Sequence, residues 1–480
     1  MTAPTNQKIG IIAATAIVAG NMMGSGIALL PSSLASIGSI TLISWFLAAI
    51  GALALAYVYS TLGNRDPQPG GPVAYAGEVA PVFGYQTGLL YFHAGWVGNL
   101  AMALAGIDYL SVFFPVLTQP VAGGIATVIA IWLLTLLNLL GAAWIGRLVT
   151  ISIIGILIPV ILTGTIGWLT FKPDVFLLNW HVGASSSSFS VFSGVVLCIW
   201  AFIGIESASV NAGLVKNPSK TIPMATMLGT AIAALVYISS CTVISGMFPA
   251  QQVANSGAPF SLALEHIVKV LAPTKVDAGT INTISLAIKY IVAAATAFAC
   301  LISLGSWIMM IAQAAARSAQ DGTLPKIFAQ TNEKGVPVKG IYIQAALSTG
   351  LMIVVSLIAA STNKNSQGMF GIIASVTVLF TVIPYFYSSL QLIRIERMDH
   401  VPFKRAILPV TMALIAIAWS FSALAGSGFG ILISAILIIF GVFIFYAAKD
   451  RTELEKSMHA LRLHRVEQLS KDYHTKNQEQ

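Results

Sequence analysis

The chain has 480 residues, of which 56% are hydrophobic and only 9% are charged, against about 25% charged residues in an ordinary soluble domain. So few charges cannot cover a water-exposed surface, which excludes a set of soluble domains and indicates one bundle of membrane-spanning helices. The net charge of +8 is spread over short loops and the C-terminal tail, a distribution that fits membrane topology better than nucleic-acid binding.

Twelve apolar segments are each long enough to cross a membrane, which requires about 20 residues. In chain order the predicted spans are 9–34, 38–62, 85–115, 121–141, 146–171, 191–213, 222–248, 281–314, 339–360, 368–393, 406–426 and 428–448. The first run is expected to be retained as span 1 rather than cleaved as a signal peptide. The sequence therefore predicts an all-α polytopic membrane protein, with one transmembrane domain (1–448) and a polar tail (449–480).

Lysine and arginine are distributed unequally between the two sides of the predicted membrane. With the N-terminus in the cytoplasm, 20 of the 25 basic residues fall on the cytoplasmic side, four fall outside, and Lys289 is embedded near the outer end of span 8. Without the seven basic residues of the tail, the ratio is still 13 to 4. The positive-inside rule therefore predicts that both termini are cytoplasmic.

Two predicted spans are interrupted by glycine at matching positions. Span 1 contains Gly20-Asn21-Met22-Met23-Gly24-Ser25-Gly26-Ile27, and span 6 contains Trp200-Ala201-Phe202-Ile203-Gly204-Ile205-Glu206-Ser207. Paired interruptions of this kind indicate a binding site between inverted repeats, here about 9–171 and 191–393. Unwound backbone at membrane depth is tolerated only where it lines a cavity. The alternative is that the glycines serve close helix packing.

Glu206 is the residue of span 6 that most needs an explanation. An acid near the middle of a span is energetically costly and by default marks a site or a proton relay, which here suits a cationic substrate. The alternative is a structural pair with a buried partner. On span 1, the backbone N–H groups of Gly24-Ser25-Gly26 favour a substrate carboxylate, and the side chains of Asn21 and Ser25 add polarity.

Span 3 carries Tyr91, Gly95, Asn99 and Met102 at helical spacing, which gives one stripe with a polar centre. Asn99 is expected to accept a hydrogen bond from an ammonium group, or else to clip two helices together. Asp108 lies nine residues further on, about 13 Å toward the outside. It is interpreted either as an attractor for cations in an outer vestibule or as an interfacial acid.

Aromatic and hydroxyl side chains interrupt other spans. Trp200 and Trp307 lie well away from the ends of their spans. Tryptophan is usually an interfacial anchor, but beside a cationic substrate a deep tryptophan can supply cation–π contacts and apolar walls instead. Thr377, Thr381 and Tyr385 recur at every fourth residue of span 10. Cys198, Cys241 and Cys300 lie in apolar stretches without metal-ligand spacing and are interpreted as core residues.

Five segments of the chain resemble the basic amino acid/polyamine antiporters of the amino acid–polyamine–organocation superfamily. They are Asn21-Met22-Met23-Gly24-Ser25-Gly26-Ile27, Gly70-Gly71-Pro72-Val73-Ala74-Tyr75-Ala76-Gly77-Glu78, Trp96-Val97-Gly98-Asn99-Leu100-Ala101, Trp200-Ala201-Phe202-Ile203-Gly204-Ile205-Glu206-Ser207-Ala208 and Asp321-Gly322. The similarity runs from about residue 8 to residue 445. Met22-Met23, Ile27-Ala28-Leu29-Leu30-Pro31 and His93 before Trp96 most resemble the family members that exchange lysine for cadaverine.

The resemblance implies a LeuT-like fold of two inverted five-helix repeats plus two C-terminal helices (406–448), usually as a homodimer in a bacterial inner membrane. It implies an antiporter that exchanges external lysine for internal cadaverine and supports acid resistance and polyamine homeostasis. The expected partners are cationic amino acids, diamines, protons and the lipid bilayer. No cofactor, metal or nucleic acid is expected.

The resemblance also implies roles for individual residues. Ser25 and Gly26 hold the substrate carboxylate, Trp200 caps the occluded substrate, and Asn99, Met102 and Trp307 line the pocket. From their own polarity and position, Asn21, Glu206 and Thr377 are also predicted to bind substrate. Glu206 with Tyr91 and Tyr385 forms the inner gate and the proton-sensitive element. Positions linked to transport on the cytoplasmic side match Tyr57, Tyr59, Tyr75, Glu78 and Asp321. The chain departs from the family pattern in the long segment 261–289, in Asp108 and Lys289, and in Phe92, which replaces a second tyrosine.

Other functions remain as alternatives. Ornithine/putrescine and arginine/agmatine exchange use overlapping pocket residues, and a proton-coupled cationic amino-acid symporter is a further possibility. A channel is less favoured because the sequence has no repeated pore motif or ring of like charges. A membrane enzyme is least favoured because there is no His/Asp/Glu cluster, P-loop or nucleophile motif, so the protein is predicted not to be an enzyme.

Overall fold

The computed structural model describes residues 10–23, 26–65, 71–139, 154–183, 185–206, 216–320, 324–333, 335–362, 365–399 and 401–427, with isolated positions beyond residue 431. Across these residues the chain forms α-helices and three short 3-10 helices but no β-strand, as the composition predicts. In chain order the α-helices are Ile11–Met23 (α1), Leu30–Ala35 (α2), Thr41–Arg65 (α3), Pro72–Val79 (α4), Pro81–Leu110 (α5), Pro120–Asn138 (α6), Ile154–Thr165 (α7), Pro173–Leu178 (α8), Ser187–Ala201 (α9), Pro218–Met247 (α10), Ala250–Ala254 (α11), Pro259–Leu271 (α12), Ala278–Gln320 (α13), Val338–Ser361 (α14), Ser366–Met398 (α15) and Phe403–Gly426 (α16).

Within the described part of the chain, eight helices are long and apolar enough to cross a membrane, namely α3, α5, α6, α10, α13, α14, α15 and α16. Three shorter apolar segments, α1, α7 with the 3-10 turn after it, and α9, coincide with predicted spans 1, 5 and 6. Predicted span 12 and the tail lie outside the described ranges. The helical, membrane-spanning class is therefore confirmed, and the count of twelve spans stays a prediction.

The outer surface of α6 shows how the bundle faces its surroundings. Ile125, Ile129, Leu133 and Leu136 recur at helical spacing, and each is more than half exposed. Thr127 and other residues of the opposite face are buried. An apolar stripe turned outward is unfavourable in water and stable against lipid acyl chains, as expected of a helix at the periphery of a membrane bundle.

The helices form two packed groups. In the first group α3 packs against α9, α10 and α16, and α1 packs against α10. In the second group α5 packs against α6, α13 and α15, and α14 packs against α6 and α13. Contacts of α15 with α3, α9 and α16 join the groups. At one end of α15, Ser366 contacts Asp108, and at the other, Glu396 contacts Arg65; these are called the Asp108 end and the Arg65 end below.

The glycine interruptions predicted for spans 1 and 6 coincide with breaks in the helices. The described part of helix α1 extends to Met23, residues 26–29 form turns, and the next described helix begins at Leu30. Helix α9 ends at Ala201 and is followed by turns at residues 202–206. Gly204 has a φ of +109°, which residues with a Cβ rarely adopt, so glycine is required there. Both breaks leave backbone groups without helical partners in the middle of the bundle.

The segment 261–289 is not an open loop. It contains α12 and the first turns of α13, whose 43 residues extend about 64 Å and exceed the thickness of the bilayer core. Lys269 and Lys289 bind the two carboxylate oxygens of Glu265 at 2.7 and 3.1 Å. Lys289, predicted to be an embedded cation, is therefore one partner in an ion-pair cluster. Burial raises the pKa of Glu265, but the hydrogen bonds from both lysines outweigh it and hold that pKa below its usual value.

Candidate functional site

A cavity of about 630 Å³, part of it open to solvent, lies between the two helix groups at the level of both breaks. The first group contributes the ends of α1 and α9 with the broken segments after them, and the second contributes α5, α13 and α15. The lining residues are Met22, Gly26, Tyr91, Ala94, Gly95, Gly98, Asn99, Met102, Trp200, Ile203, Glu206, Trp307, Ile311, Thr377 and Thr381.

Most of the residues expected to bind substrate meet in this cavity. Gly26, Asn99, Met102, Trp200, Glu206, Trp307 and Thr377 all line it, together with the predicted gate residue Tyr91. The other gate residue, Tyr385, lies directly behind Glu206. Gly24, Ser25 and the side chain of Asn21 lie outside the described residues, so their predicted contact with a substrate carboxylate remains a prediction.

Trp200 links the two broken helices. Its indole Nε1 donates a hydrogen bond to the carbonyl oxygen of Gly26 at 3.1 Å. The indole ring meets Phe370 of α15 edge to face, with a centroid distance of 6.0 Å. Because Trp200 is the last residue but one of α9, its position depends on where that helix ends. A large ring held between span 1 and α15 forms one wall of the cavity and is well placed for stacking on a cation.

Glu206 lies at the base of the cavity, toward the Arg65 end. Its two carboxylate oxygens accept hydrogen bonds from Tyr91 Oη at 2.8 Å and from Tyr385 Oη at 3.0 Å. These tyrosines come from α5 and α15, so a single acid joins the break after α9 to both central helices of the second group. Among the described lining residues, Glu206 is the only acid, and none is a lysine, arginine or histidine. The cavity is thus suited to a cation.

An aromatic layer separates Glu206 from the Arg65 end. Tyr59 is fully buried, and its ring lies 6.1 Å from that of Tyr385 and 6.3 Å from that of Tyr75. The Tyr59 hydroxyl is hydrogen-bonded to Ser388 Oγ at 3.1 Å. Two of the residues predicted to be linked to transport, Tyr59 and Tyr75, therefore lie in the layer that closes the cavity on this side. Tyr57, on another face of α3, is half-buried and does not line the cavity.

Beyond this layer, polar contacts tie α4 and α3 to the end of α15. Gln391 and Arg394 both donate hydrogen bonds to Glu78, to its carboxylate and to its carbonyl oxygen respectively. Arg65, the last residue of α3, lies 2.5 Å from the buried carboxylate of Glu396. Asp321 lies outside the described residues. Sequence reasoning identified Glu78 but missed the pairing of Arg65 with Glu396, since both looked like ordinary loop charges.

Gly98, Ile203, Ile311 and Thr381 line the cavity although they were not predicted as site residues. The spacing of Tyr91, Gly95, Gly98 and Met102 is the signal that identifies Gly98, because residues four and three apart share one helix face. A Cβ at Gly98 would lie 3.5 Å from Thr377 and 3.6 Å from the Trp200 ring. Glycine at this position therefore enlarges the space beside the tryptophan.

Asp108 has neither of the exposed roles predicted for it. Its side chain is fully buried at the opposite end of α5 and accepts hydrogen bonds from Ser366 and Gln367 at the start of α15. Gly257 lies so close that an added Cβ would be 2.6 Å from the Asp108 carbonyl oxygen. The loop before α12 and the start of α15 thus cover an acid that the hydropathy pattern placed at the interface.

Comparison with known proteins agrees with this geometry. A sequence model of the amino acid permease family matches residues 9–458. The cadaverine/lysine antiporter of Escherichia coli (strain K12) is 43% identical over 452 residues, covering 94% of this chain and 97% of the relative. The putrescine transporter PotE of E. coli (strain K12) is 31% identical, covering 95% and 99%, and that of Haemophilus influenzae is 32% identical, covering 89% and 93%. The chain therefore belongs to the amino acid permease family.

Proposed function

We propose that this protein is a secondary antiporter that exchanges external lysine for internal cadaverine across a bacterial inner membrane. The observation that carries the proposal is the carboxylate of Glu206, which is the one acid among the described lining residues, the others being aromatic, amide, hydroxyl, glycine or apolar. The relative named cadaverine/lysine antiporter, 43% identical along nearly its whole length, supports this substrate pair. Exchange of this kind supports acid resistance and polyamine homeostasis, because decarboxylation of lysine to cadaverine consumes a proton.

The two substrates differ by one carboxylate, so we assign separate partners to their charged groups. We assign the lysine carboxylate to the backbone N–H groups of the span 1 break, at Ser25 and Gly26, with Asn21 beside them. The ammonium groups face Glu206, Asn99 and the ring faces of Trp200 and Trp307. Cadaverine has no carboxylate, so its second ammonium takes up the remaining polar positions, and Met102 and Thr377 contact the carbon chain.

Alternating access requires that the cavity open to one side at a time. Glu206, Tyr91 and Tyr385 are assigned to the inner gate, since their hydrogen bonds close the cavity toward the Arg65 end. Breaking these bonds frees the Glu206 carboxylate for a diamine or a proton, which compete for the same oxygens. Tyr57, Tyr59, Tyr75, Glu78 and Asp321 are assigned to the cytoplasmic exit path.

The architecture proposed for the whole chain has twelve spans. Residues 9–171 and 191–393 form two inverted five-helix repeats, and 406–448 form two additional helices. The Arg65 end and both termini lie in the cytoplasm, supported by the excess of lysine and arginine in the loops assigned there. A homodimer is the proposed assembly.

Ornithine/putrescine exchange is the second candidate, because two relatives at 31% and 32% identity are named putrescine transporters. A counterflow panel in proteoliposomes tests the choice. Vesicles loaded with cadaverine, putrescine or agmatine receive trace labelled lysine, ornithine or arginine. The lysine/cadaverine pair is expected to give the fastest exchange. Faster exchange of ornithine for putrescine, or of arginine for agmatine, would contradict the proposed substrate pair.

A further inference from the structure

A second buried amide lies behind the cavity wall. Gln344 of α14 is 2% exposed and does not line the cavity, whereas Asn99, in front of it, is 3% exposed and does. Asn99 Nδ2 donates a hydrogen bond to Gln344 Oε1 at 3.5 Å. Gln344 was not identified from the sequence, because a single glutamine in an apolar span carries no spacing signal.

The hydrogen bonds of Gln344 fix the orientation of both amides. Gln344 Nε2 donates to the carbonyl oxygens of Gly340, at 3.4 Å, and of Ile308 in α13, at 3.5 Å. A carbonyl oxygen can only accept, so the Gln344 NH₂ group must face these two carbonyls and its Oε1 must face Asn99. Asn99 in turn must present its NH₂ group to Gln344. The two backbone carbonyl oxygens thus determine the donor-to-acceptor direction of both side-chain hydrogen bonds.

The amide oxygen of Asn99 is the acceptor that these hydrogen bonds do not use. Asn99 Oδ1 is buried, and no donor in the described part of the chain satisfies it. Buried polar atoms in proteins are nearly always paired, so an orphaned acceptor on a residue that lines a cavity points to a donor supplied by the ligand. An ammonium group, which has three N–H donors and no acceptor, fits this position.

We propose that Gln344 is a positioning residue that holds the Asn99 amide with Oδ1 toward the ammonium of the bound substrate. The inference rests on the proposed function and deepens it, since it explains why the site selects amines. Without Gln344, the Asn99 side chain is free to rotate and present its NH₂ group, which repels an ammonium. The loss of one charge-assisted hydrogen bond corresponds to roughly a tenfold loss of affinity.

The test measures inhibition constants in counterflow, which do not depend on how much protein is correctly folded. Gln344→Met removes the amide at similar size, and Gln344→Leu is a second variant in case the first does not insert. The inhibitors are lysine, norleucine, which lacks the ε-amine, and 6-aminohexanoate, which lacks the α-amine. Thr349→Val on the same helix is the control, because that hydroxyl contacts Trp132 and Ala345, away from the cavity.

The expected result is an increase of about tenfold in the lysine inhibition constant, with no increase for whichever analogue lacks the amine that Asn99 binds. In an Asn99→Ala background, Gln344→Met should add nothing further, because its effect passes through Asn99. Equal losses for all three inhibitors, an additive loss in the double variant, or unchanged constants would overturn the inference. Absence of lysine exchange by the unmodified protein would instead contradict the proposed function.

Discussion

Replacing Glu206 by glutamine removes the charge from the cavity and retains its shape. Glutamine has nearly the same size as glutamate, and its amide oxygen can still accept a hydrogen bond from Tyr91 or Tyr385. What is lost is the negative charge that faces an incoming diamine. We expect Glu206→Gln to lose most cadaverine exchange.

The size of the expected loss in cadaverine affinity follows from the burial of Glu206. At about 4 Å and an effective dielectric constant of about 20, a carboxylate and an ammonium attract by about 4 kcal/mol before desolvation is counted. The net contribution of a hydrogen bond between charged partners is about 1.5–3 kcal/mol. This corresponds to roughly a tenfold to 150-fold loss of affinity for cadaverine.

The assay is counterflow of labelled cadaverine across a series of pH values. Glutamine does not titrate, so the variant should also show a flatter pH dependence than the unmodified protein. Glu206→Asp keeps the charge but shortens the side chain, and partial activity is expected. Thr349→Val, which removes a hydroxyl that contacts Trp132 and Ala345 away from the cavity, serves as the control. Full exchange by the glutamine variant, with an unaltered pH profile, would make Glu206 a structural acid.

Three further variants test the Trp200 wall of the cavity, the ion pair at the Arg65 end and the ion pairs of Glu265. Trp200→Leu should reduce transport strongly while leaving much of the equilibrium binding of lysine intact; unchanged transport would assign Trp200 to core packing. Arg65→Ala leaves the buried Glu396 carboxylate unpaired, which costs about 3–5 kcal/mol, and adding Glu396→Gln should restore much of the melting temperature; a double variant no more stable than the single one would refute the pairing. Glu265→Gln should lower the melting temperature at neutral pH. Because the folded pKa of Glu265 is depressed, its ion pairs stabilise the fold above the usual glutamate pKa of about 4.3, and the difference should disappear as the pH falls through the lower folded value.

The helical class and the two breaks could be predicted because the membrane restricts the chain so strongly. Apolar runs of span length have one stable form in lipid. Glycines within such runs identify where the helices of spans 1 and 6 are interrupted. The stripe on span 3 predicted Tyr91, Asn99 and Met102 because one face of one helix determines which side chains share a surface.

What could not be predicted depends on contacts between distant segments. Asp108 is buried because the start of α15 and the loop before α12 cover it, and nothing near residue 108 in the sequence encodes this. Gln344 meets Asn99 across 245 positions of sequence. The helix in 261–289 was missed because α12 is too short and too amphipathic to resemble a span. Local patterns predict elements and faces, while pairings between elements require the packed structure.

Obligatory exchange is the central claim, and uptake into two sets of vesicles measures it most directly. Proteoliposomes containing the purified protein are loaded with cadaverine or left empty, and labelled lysine is added outside at the same pH. An antiporter takes up lysine only when a counter-substrate can leave, so rapid uptake is predicted into the loaded vesicles and only background uptake into the empty ones. Equal uptake into both would contradict antiport and indicate a symporter or uniporter built on the same cavity.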